Sequence, residues 1–373
     1  MKVAPFCRAL KAYPEIKHLL VHTGQHYDVR MSEQFFKELD IPAPDINLEI
    51  GSGSHAEQVG RTMIAFEKVL QQEKPDWVVV LGDVNATCAC SITAKKEHIK
   101  CAHIEAGLRS RDMDMPEEIN RLVTDRLSDL LFTPDRLSNA NLKAEGVPDD
   151  KIKFVGNIMI DTLERERAKA AALNINEVIY GNLIEDYEAP AAKNAKGAKH
   201  LEVKENSYVA MTMHRPSNVD QRETLVPAMR FFLDEVSKEY PIVWAIHPRA
   251  QKMLKEFDLW DEVVANPNMI LVKPLGYHAM LRLNMGARLF MTDSGGLQEE
   301  CCVLGTPCLT MRWNTERPIT LMENGGASIL VGNAVTKMRE AYRSQINAVR
   351  HAMRPELWDG KTAERIAEIL IRG

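Results

Sequence analysis

The sequence predicts an α/β protein in two lobes, each a parallel sheet covered by helices. Three observations lead there. Short apolar runs alternate with amphipathic helical stretches, the pattern of a helix-covered parallel sheet. The alternation lapses over residues 165–206, where the chain becomes rich in Ala, Lys and Asn, and then restarts. Polar, glycine-bearing loops such as GDVNAT and EAGLRS follow apolar runs directly. In the first half, strands are expected at 19–22, 77–81, 102–105, 130–133 and 153–155, with helices including 56–72, 85–96 and 117–127. In the second half, strands are expected at 208–213, 242–246, 270–272, 289–292 and 308–311. The expected domains are 1–165 and 166–358, followed by a segment at 359–373. No repeat of solenoid length is visible.

The length of 373 residues fits two domains better than one or three. Hydrophobic residues make up 45% and charged residues 27%, the balance of a soluble globular chain. No apolar run approaches the roughly 20 residues that span a bilayer. Arg8, Lys11, Glu15 and Lys17 interrupt the opening stretch, so it lacks the apolar core of a signal peptide, and the expected compartment is the cytoplasm. A net charge of −5 argues against nucleic acid as a partner. The seven cysteines are scattered, without zinc-ribbon or redox spacing, and read as small buried hydrophobes. No metal site is expected.

Chemistry is sought at strand ends, because ligands in open α/β sheets gather at the carboxyl edges. HIEAGLRSRDMDMPEEINR, residues 103–121, holds Glu105, Asp112, Asp114, Glu117 and Glu118. One reading is a solvated loop and helix start, since Pro116 suits a first helical turn and acids there favour the dipole. That reading is preferred for Asp112, Asp114 and Glu118. Glu105 follows an apolar strand and precedes Gly107, where the backbone can approach a ligand. Glu117 begins the next helix and is placed to point into the same crevice. Two partly desolvated carboxylates take different protonation states, which paired acid and base work requires. Asp83, in LGDVNAT, is either a helix cap or a third carboxylate level with Glu105.

In the second half, MTMHRPSN sets His214 and Arg215 directly after a strand, and AIHPRA repeats the arrangement with His247 and Arg249. A lone histidine is more often structural than catalytic. TDSGGLQEE runs a strand into Ser294, Gly295 and Gly296 and then a helix, either a plain tight turn or an anion site suited to phosphate. Glu300 is a candidate acceptor for ribose hydroxyls. Arg317, in NTERP, is either a surface arginine or a cation near the substrate. HTGQHYD supplies Gln25 and His26 after the first strand.

Taken in order, HTGQHYD, LGDVNAT, HIEAGLRS, MPEEINR, FVGNIMIDTL, MTMHRPSN, HPR, PLGY, TDSGGLQEE, LGTPCL and NTERP closely resemble the non-hydrolysing UDP-N-acetylglucosamine 2-epimerases. The motifs span almost the whole chain. The resemblance implies two Rossmann-like lobes facing across a cleft, the GT-B architecture, usually as a homodimer. It further implies a C-terminal helix at 362–371 crossing back to the first lobe. Asp83, Glu105 and Glu117 match the family's catalytic carboxylates, and His214 matches the histidine near the departing diphosphate. Ser294, Gly295, Gly296 and Glu300 match diphosphate- and ribose-binding positions. Lys2, Gln25 and Arg317 match substrate-binding positions, and Leu275 and Met280 fall near the uracil. Two departures stand out. The family's first strand and its GTRPE-type loop are expected to be missing, since the chain begins MKVAP, and Ser217 replaces a glutamate of the allosterically activated members.

The implied reaction interconverts UDP-N-acetylglucosamine and UDP-N-acetylmannosamine, precursors for cell-surface polysaccharide. C2 of the sugar is not beside a carbonyl, so its proton is poorly acidic. Elimination of UDP as a carboxylate takes that proton gives 2-acetamidoglucal, and UDP then adds back as an acid protonates the opposite face. No cofactor is needed. Rival readings are a hydrolysing epimerase, a UDP-2,3-diacetamido-uronate 2-epimerase, a GT-B glycosyltransferase, and a nucleotide-sugar binding module without activity.

Overall fold

Apolar runs become parallel strands in both halves of the chain. The computed structural model describes residues 1–24, 36–184 and 202–372. Two units emerge, one formed by Met1–Arg165 with Arg354–Gly373 and the other by Glu166–Met353.

In the first unit, β1 (Val21–His22) pairs with β2 (Ile46–Asn47). A separate sheet runs in chain order through β3 (Trp77–Leu81), β4 (Lys100–Ile104), β5 (Leu130–Thr133) and β6 (Ile152–Phe154), all parallel. The run expected at 19–22 is therefore a strand, though shorter and bonded only to β2 among the described residues. Alternation along β4 sends Ala102 and Ile104 to one face and Cys101 to the other. The first face packs with Phe132, Ile158, Phe6 and Leu10. The second packs with Phe66, Leu70, Val78, Val80, Cys90 and Ala94. Helix His55–Glu73 opens on a capping box, in which Ser54 Oγ accepts from the Glu57 amide and the Glu57 carboxylate accepts from the Ser54 amide.

Helix Thr362–Arg372 lays Ala363, Ile366 and Ala367 against Phe6 and Leu10. Full burial of an isoleucine such as Ile366 contributes about 1.5–3 kcal/mol. The Asp161 carboxylate accepts from the Thr362 and Ala363 amides at 3.1 and 2.7 Å, capping this helix. Just upstream, Trp358 is buried and donates to the Pro134 carbonyl at 2.9 Å. Gly156, at φ 95°, lies so near Leu357 that a Cβ there would sit 2.1 Å from its carbonyl oxygen.

The second unit holds β7 (Val209–Thr212), β8 (Ile242–Ala245), β9 (Met269–Val272), β10 (Leu289–Thr292), β11 (Cys308–Thr310) and β12 (Ser328–Leu330). They form one parallel sheet in the order β12-β11-β10-β7-β8-β9. Helices cover both faces, which is why these strands read as near-continuous apolar runs. Val209, Met211, Trp244 and Leu271 pack on one side, and Ala210, Val243, Ile270 and Phe290 on the other. The strand order reverses between β7 and β10. In open sheets of this kind the carboxyl ends flanking that reversal are where ligands bind.

Candidate active site

Three acidic residues of the first unit lie at or just past secondary-structure ends. After β3, Gly82 adopts φ 71°, and its amide donates to the Ile104 carbonyl at 3.1 Å. The turn bearing Asp83 is thereby tied to the end of β4. After β4, Glu105 takes φ 76°, a left-handed conformation that holds of order 1–3 kcal/mol of strain in a non-glycine residue. Glu105 is only 4% exposed. Its Oε2 pairs with Lys2 Nζ, and its Oε1 has no hydrogen-bond partner among the described residues. The glycine expected to allow close approach, Gly107, does so toward protein: a Cβ there would meet the Ser138 carbonyl oxygen at 2.5 Å.

Asp83 remains a quarter exposed, with Oδ2 3.6 Å from Arg121 Nη2. Its backbone carbonyl accepts from Asn120 Nδ2 at 2.9 Å. The N-cap of helix Asn85–Lys96 is Val84, and no side chain caps it, so Asp83 does not serve as that cap. Glu117 is half-buried in the first turn of helix Pro116–Leu127, where Pro116 stands as the sequence suggests. Its side chain makes no hydrogen bond or ion pair among the described residues. Asn120 and Arg121 of the same helix are what reach Asp83. Glu118 departs from the solvated reading, being 1% exposed. It accepts from the Ser110 amide and hydroxyl, the Arg111 amide and Arg121 Nη1, and these four donors make its burial tolerable.

Beneath these turns lies a buried pair that sequence reasoning missed. His103 Nδ1 is 2.6 Å from Asp125 Oδ1, and His103 Nε2 is 2.8 Å from the Gly82 carbonyl oxygen. Asp125 Oδ2 accepts from the Gly107 amide at 3.0 Å and Arg109 Nη1 at 2.7 Å. Burial pushes the Asp125 carboxyl up, but His103, Arg109 and the Gly107 amide outweigh it and hold the group below the usual range. A histidine inside the apolar run of β4 was the available signal. Asp125 had none, because its partners lie far away in the chain.

In the second unit, β7 and β10, the strands at the reversal, deliver His214 and Asp293. The buried Asp293 accepts at Oδ2 from the His214 amide, the Arg215 amide and Asn218 Nδ2, at 2.9, 2.8 and 3.0 Å. Its Oδ1 is 2.7 Å from His214 Nδ1. Burial works against ionisation of Asp293, yet His214 and the two amides hold its carboxyl below the usual range. The His214 side chain is 42% exposed, and its ring centroid lies 5.6 Å from that of His247. Burial, and then the neighbouring His214, push the His247 imidazole down.

Ser294 is the N-cap of helix Gly295–Leu304 and makes no side-chain cap, while its own amide donates to Thr292 Oγ1 at 3.0 Å, so the Gly295 and Gly296 amides are the ones this start offers to an anion. A Cβ on Gly295 would meet Arg317 Nη1 at 2.7 Å and Glu316 Oε1 at 2.8 Å. Arg317 is 6% exposed, with Nε 2.8 Å from Glu299 Oε1 and Nη1 against Glu316, and Glu316 in turn binds Arg312 at 2.6 Å. The surface-arginine alternative therefore falls away. Burial, then the Glu299 charge, push the Glu300 carboxyl up to about 7. Leu275 is a core residue packed with Val272 and Leu283, and Met280 lies half-buried against the same cluster. Gln25 and His26 lie outside the described residues.

The structure thus joins Lys2 to Glu105, Asp83 to the helix that Glu117 begins, His214 to Asp293, and Arg317 to Gly295. All seven cysteines are free and buried, as expected. Among the described residues, no helix is long and apolar enough to cross a membrane, and no group of three or more His, Cys, Asp or Glu side chains is placed to hold a metal ion.

Two parallel α/β units, one with acidic strand ends and the other with a glycine-rich turn at its strand-order reversal, define an enzyme of the GT-B-like fold class. A family profile described as UDP-N-acetylglucosamine 2-epimerase matches residues 8–371, and the chain belongs to that family. It is 41% identical to a UDP-N-acetylglucosamine 2-epimerase of Methanocaldococcus jannaschii, over 100% of this chain and 96% of that protein. A crystal structure of the enzyme from that organism, in complex with UDP-GlcNAc and UDP, superposes with a TM-score of 0.86 at 40% identity, covering 100% of this chain and 96% of that one. A UDP-2,3-diacetamido-2,3-dideoxy-D-glucuronate 2-epimerase of Pseudomonas aeruginosa is 34% identical, over 100% of this chain and 96% of its own length.

Proposed function

We propose that this epimerase interconverts UDP-N-acetylglucosamine and UDP-N-acetylmannosamine without hydrolysis, by eliminating UDP and adding it back. The observation that carries the reading is Glu105, a buried carboxylate held at a strand end in left-handed backbone, with one oxygen on Lys2 and the other unbonded among the described residues. In the forward half-reaction a carboxylate takes the C2 proton, the C2–H electrons become the C1–C2 double bond, and the C1–oxygen bond breaks to release UDP. The return half protonates C2 from the other face as the diphosphate oxygen attacks C1. No net electron transfer occurs, so no redox cofactor enters. Two faces need at least two proton carriers, each typically contributing about 10² to 10⁴-fold.

Asp83, Glu105 and Glu117 take these roles. His214, oriented by Asp293, faces the diphosphate as it departs. Ser294, Gly295 and Gly296 hold the diphosphate, the two glycines through their amides, with Arg317 close behind Gly295. Glu300 receives the ribose hydroxyls, Leu275 and Met280 border the uracil, and Lys2 and Gln25 contact the substrate. The enzyme works as a cytoplasmic homodimer that supplies polysaccharide precursors. The higher identity to the UDP-N-acetylglucosamine enzyme favours that sugar over the diacetamido uronate.

Incubation with UDP-N-acetylglucosamine in D₂O, followed by NMR, tests the reading. The expected product is UDP-N-acetylmannosamine with deuterium at C2. Free N-acetylmannosamine with UDP would indicate the hydrolysing reaction. Turnover of the diacetamido uronate alone would move the substrate, and UDP release that requires an acceptor would mean glycosyl transfer.

A further inference from the structure

We propose that His103 and Asp125 form a buried positioning pair that sets the relative placement of the three segments carrying Asp83, Glu105 and Glu117, without touching the substrate. The inference rests on the functional reading above.

The geometry is that of a junction. His103 Nε2 meets the Gly82 carbonyl, which belongs to the residue before Asp83. His103 itself stands two residues before Glu105. Asp125 Oδ2 takes the Gly107 amide, two residues after Glu105. Asp125 lies in helix Pro116–Leu127, whose first turn holds Glu117. The same carboxylate anchors Arg109, which is clamped from its other side by Glu145 at 2.8 and 2.7 Å. Both turns and the helix therefore converge on one imidazole–carboxylate contact, closed off from water.

The imidazole fills this place because it donates in two directions. A backbone carbonyl only accepts, so Nε2 carries a hydrogen. The Asp125 carboxylate already accepts from the Gly107 amide and Arg109 and faces Nδ1 with its other oxygen, so Nδ1 carries one too. An amide side chain at 103 presents one donor end and one acceptor end. It therefore fails either Gly82 or Asp125, and one turn loses its tie. A displacement of about 1 Å at reacting groups lowers turnover by roughly 100-fold.

The test compares the wild-type protein with His103→Gln, Asp125→Asn and the double variant. Deuterium incorporation at C2 of UDP-N-acetylglucosamine gives kcat and KM, calorimetry gives the UDP affinity, and near-UV circular dichroism reports the fold. His103→Gln should lower kcat by about 10 to 100-fold, with KM and UDP affinity within about twofold of wild type. In the double variant two amides face each other, one donating to the other, and part of the lost kcat should return. An unchanged kcat in folded His103→Gln overturns the inference, as does a double variant no better than the worse single one. Should a variant not fold, ¹⁵N NMR of the wild-type protein decides: two slowly exchanging ring N–H groups on His103 support the pair, and a ring with a single N–H overturns it. A wild-type protein that leaves UDP-N-acetylglucosamine unchanged sinks the functional reading itself, whereas active wild type with equally active variants sinks only the positioning pair.

Discussion

Lys2 and Glu105, 103 residues apart in the chain, meet in an ion pair at the carboxyl edge of the first unit's sheet. The carboxylate is almost wholly buried, while the lysine keeps about a quarter of its side chain in water. The contact sets a partly solvated cation on a buried anion. The Glu105 backbone is held in place by its amide donating to the Phe132 carbonyl at 3.1 Å.

Lys2→Met should therefore strand a buried charge and lower folding free energy by about 3 kcal/mol, the low end for breaking a buried pair, because Lys2 is partly solvated. Urea denaturation measures it, and the double variant with Glu105→Gln should regain most of the loss. Glu105→Gln alone should cut C2 deuterium exchange by at least about 100-fold. Exchange at the wild-type rate would remove Glu105 from the proton-carrying set.

Asp293 makes the protein acid-sensitive. Its folded value lies below the ordinary one, so its stabilisation is fully present above about pH 4 and is lost as pH falls through the depressed folded value. Asp293→Asn should be less stable at neutral pH and lose less on acidification. A variant that follows the wild-type profile in parallel would show that Asp293 is not a source of that sensitivity.

Glu300 acts in the opposite direction. Its value rises from 4.5 to about 7, so the folded state keeps a proton that the unfolded chain gives up. Stability should fall as pH rises between those two values and level off above, by on the order of 3 kcal/mol. In Glu300→Gln this decline should disappear from urea midpoints measured across that window, and its persistence would assign it to other groups.

Gly156→Ala should destabilise the first unit by about 2–4 kcal/mol, since the new Cβ meets the Leu357 carbonyl and φ is positive. Hydrogen exchange in helix Thr362–Arg372 should rise with it. Unchanged protection there would mean that the chain at Leu357 yields at little cost.

Strands buried on both faces were easy to read. The runs at Trp77–Leu81, Leu130–Thr133 and Leu289–Thr292, and helix Asn85–Lys96, end where the sequence places them, because polar or glycine residues bound each apolar run. Strands β2 and β12, of two and three residues, are too short to carry a period. The strand-end positions of Asp83, Glu105, His214 and Ser294 were legible for the same reason. The surroundings of the charged groups were not. Glu118, Asp125 and Arg317 are charged residues in polar-looking segments, and their burial depends on donors and acceptors assembled only by the fold. Leu275, within PLGY and expected by resemblance near the uracil, packs into the core.

The first unit is built from two stretches of chain separated by the whole of the second, which spans residues 166–353. Helix Thr362–Arg372 covers Phe6 and Leu10, so on the ribosome those side chains stay open to water until the later stretch emerges. At roughly 5–20 residues per second, the chain between Leu10 and Thr362 takes on the order of twenty to seventy seconds to make. The second unit, continuous in sequence, has all its strands before then. Synthesis order thus favours folding the second unit first and leaves the first unit as the stage at which chaperones and premature aggregation compete.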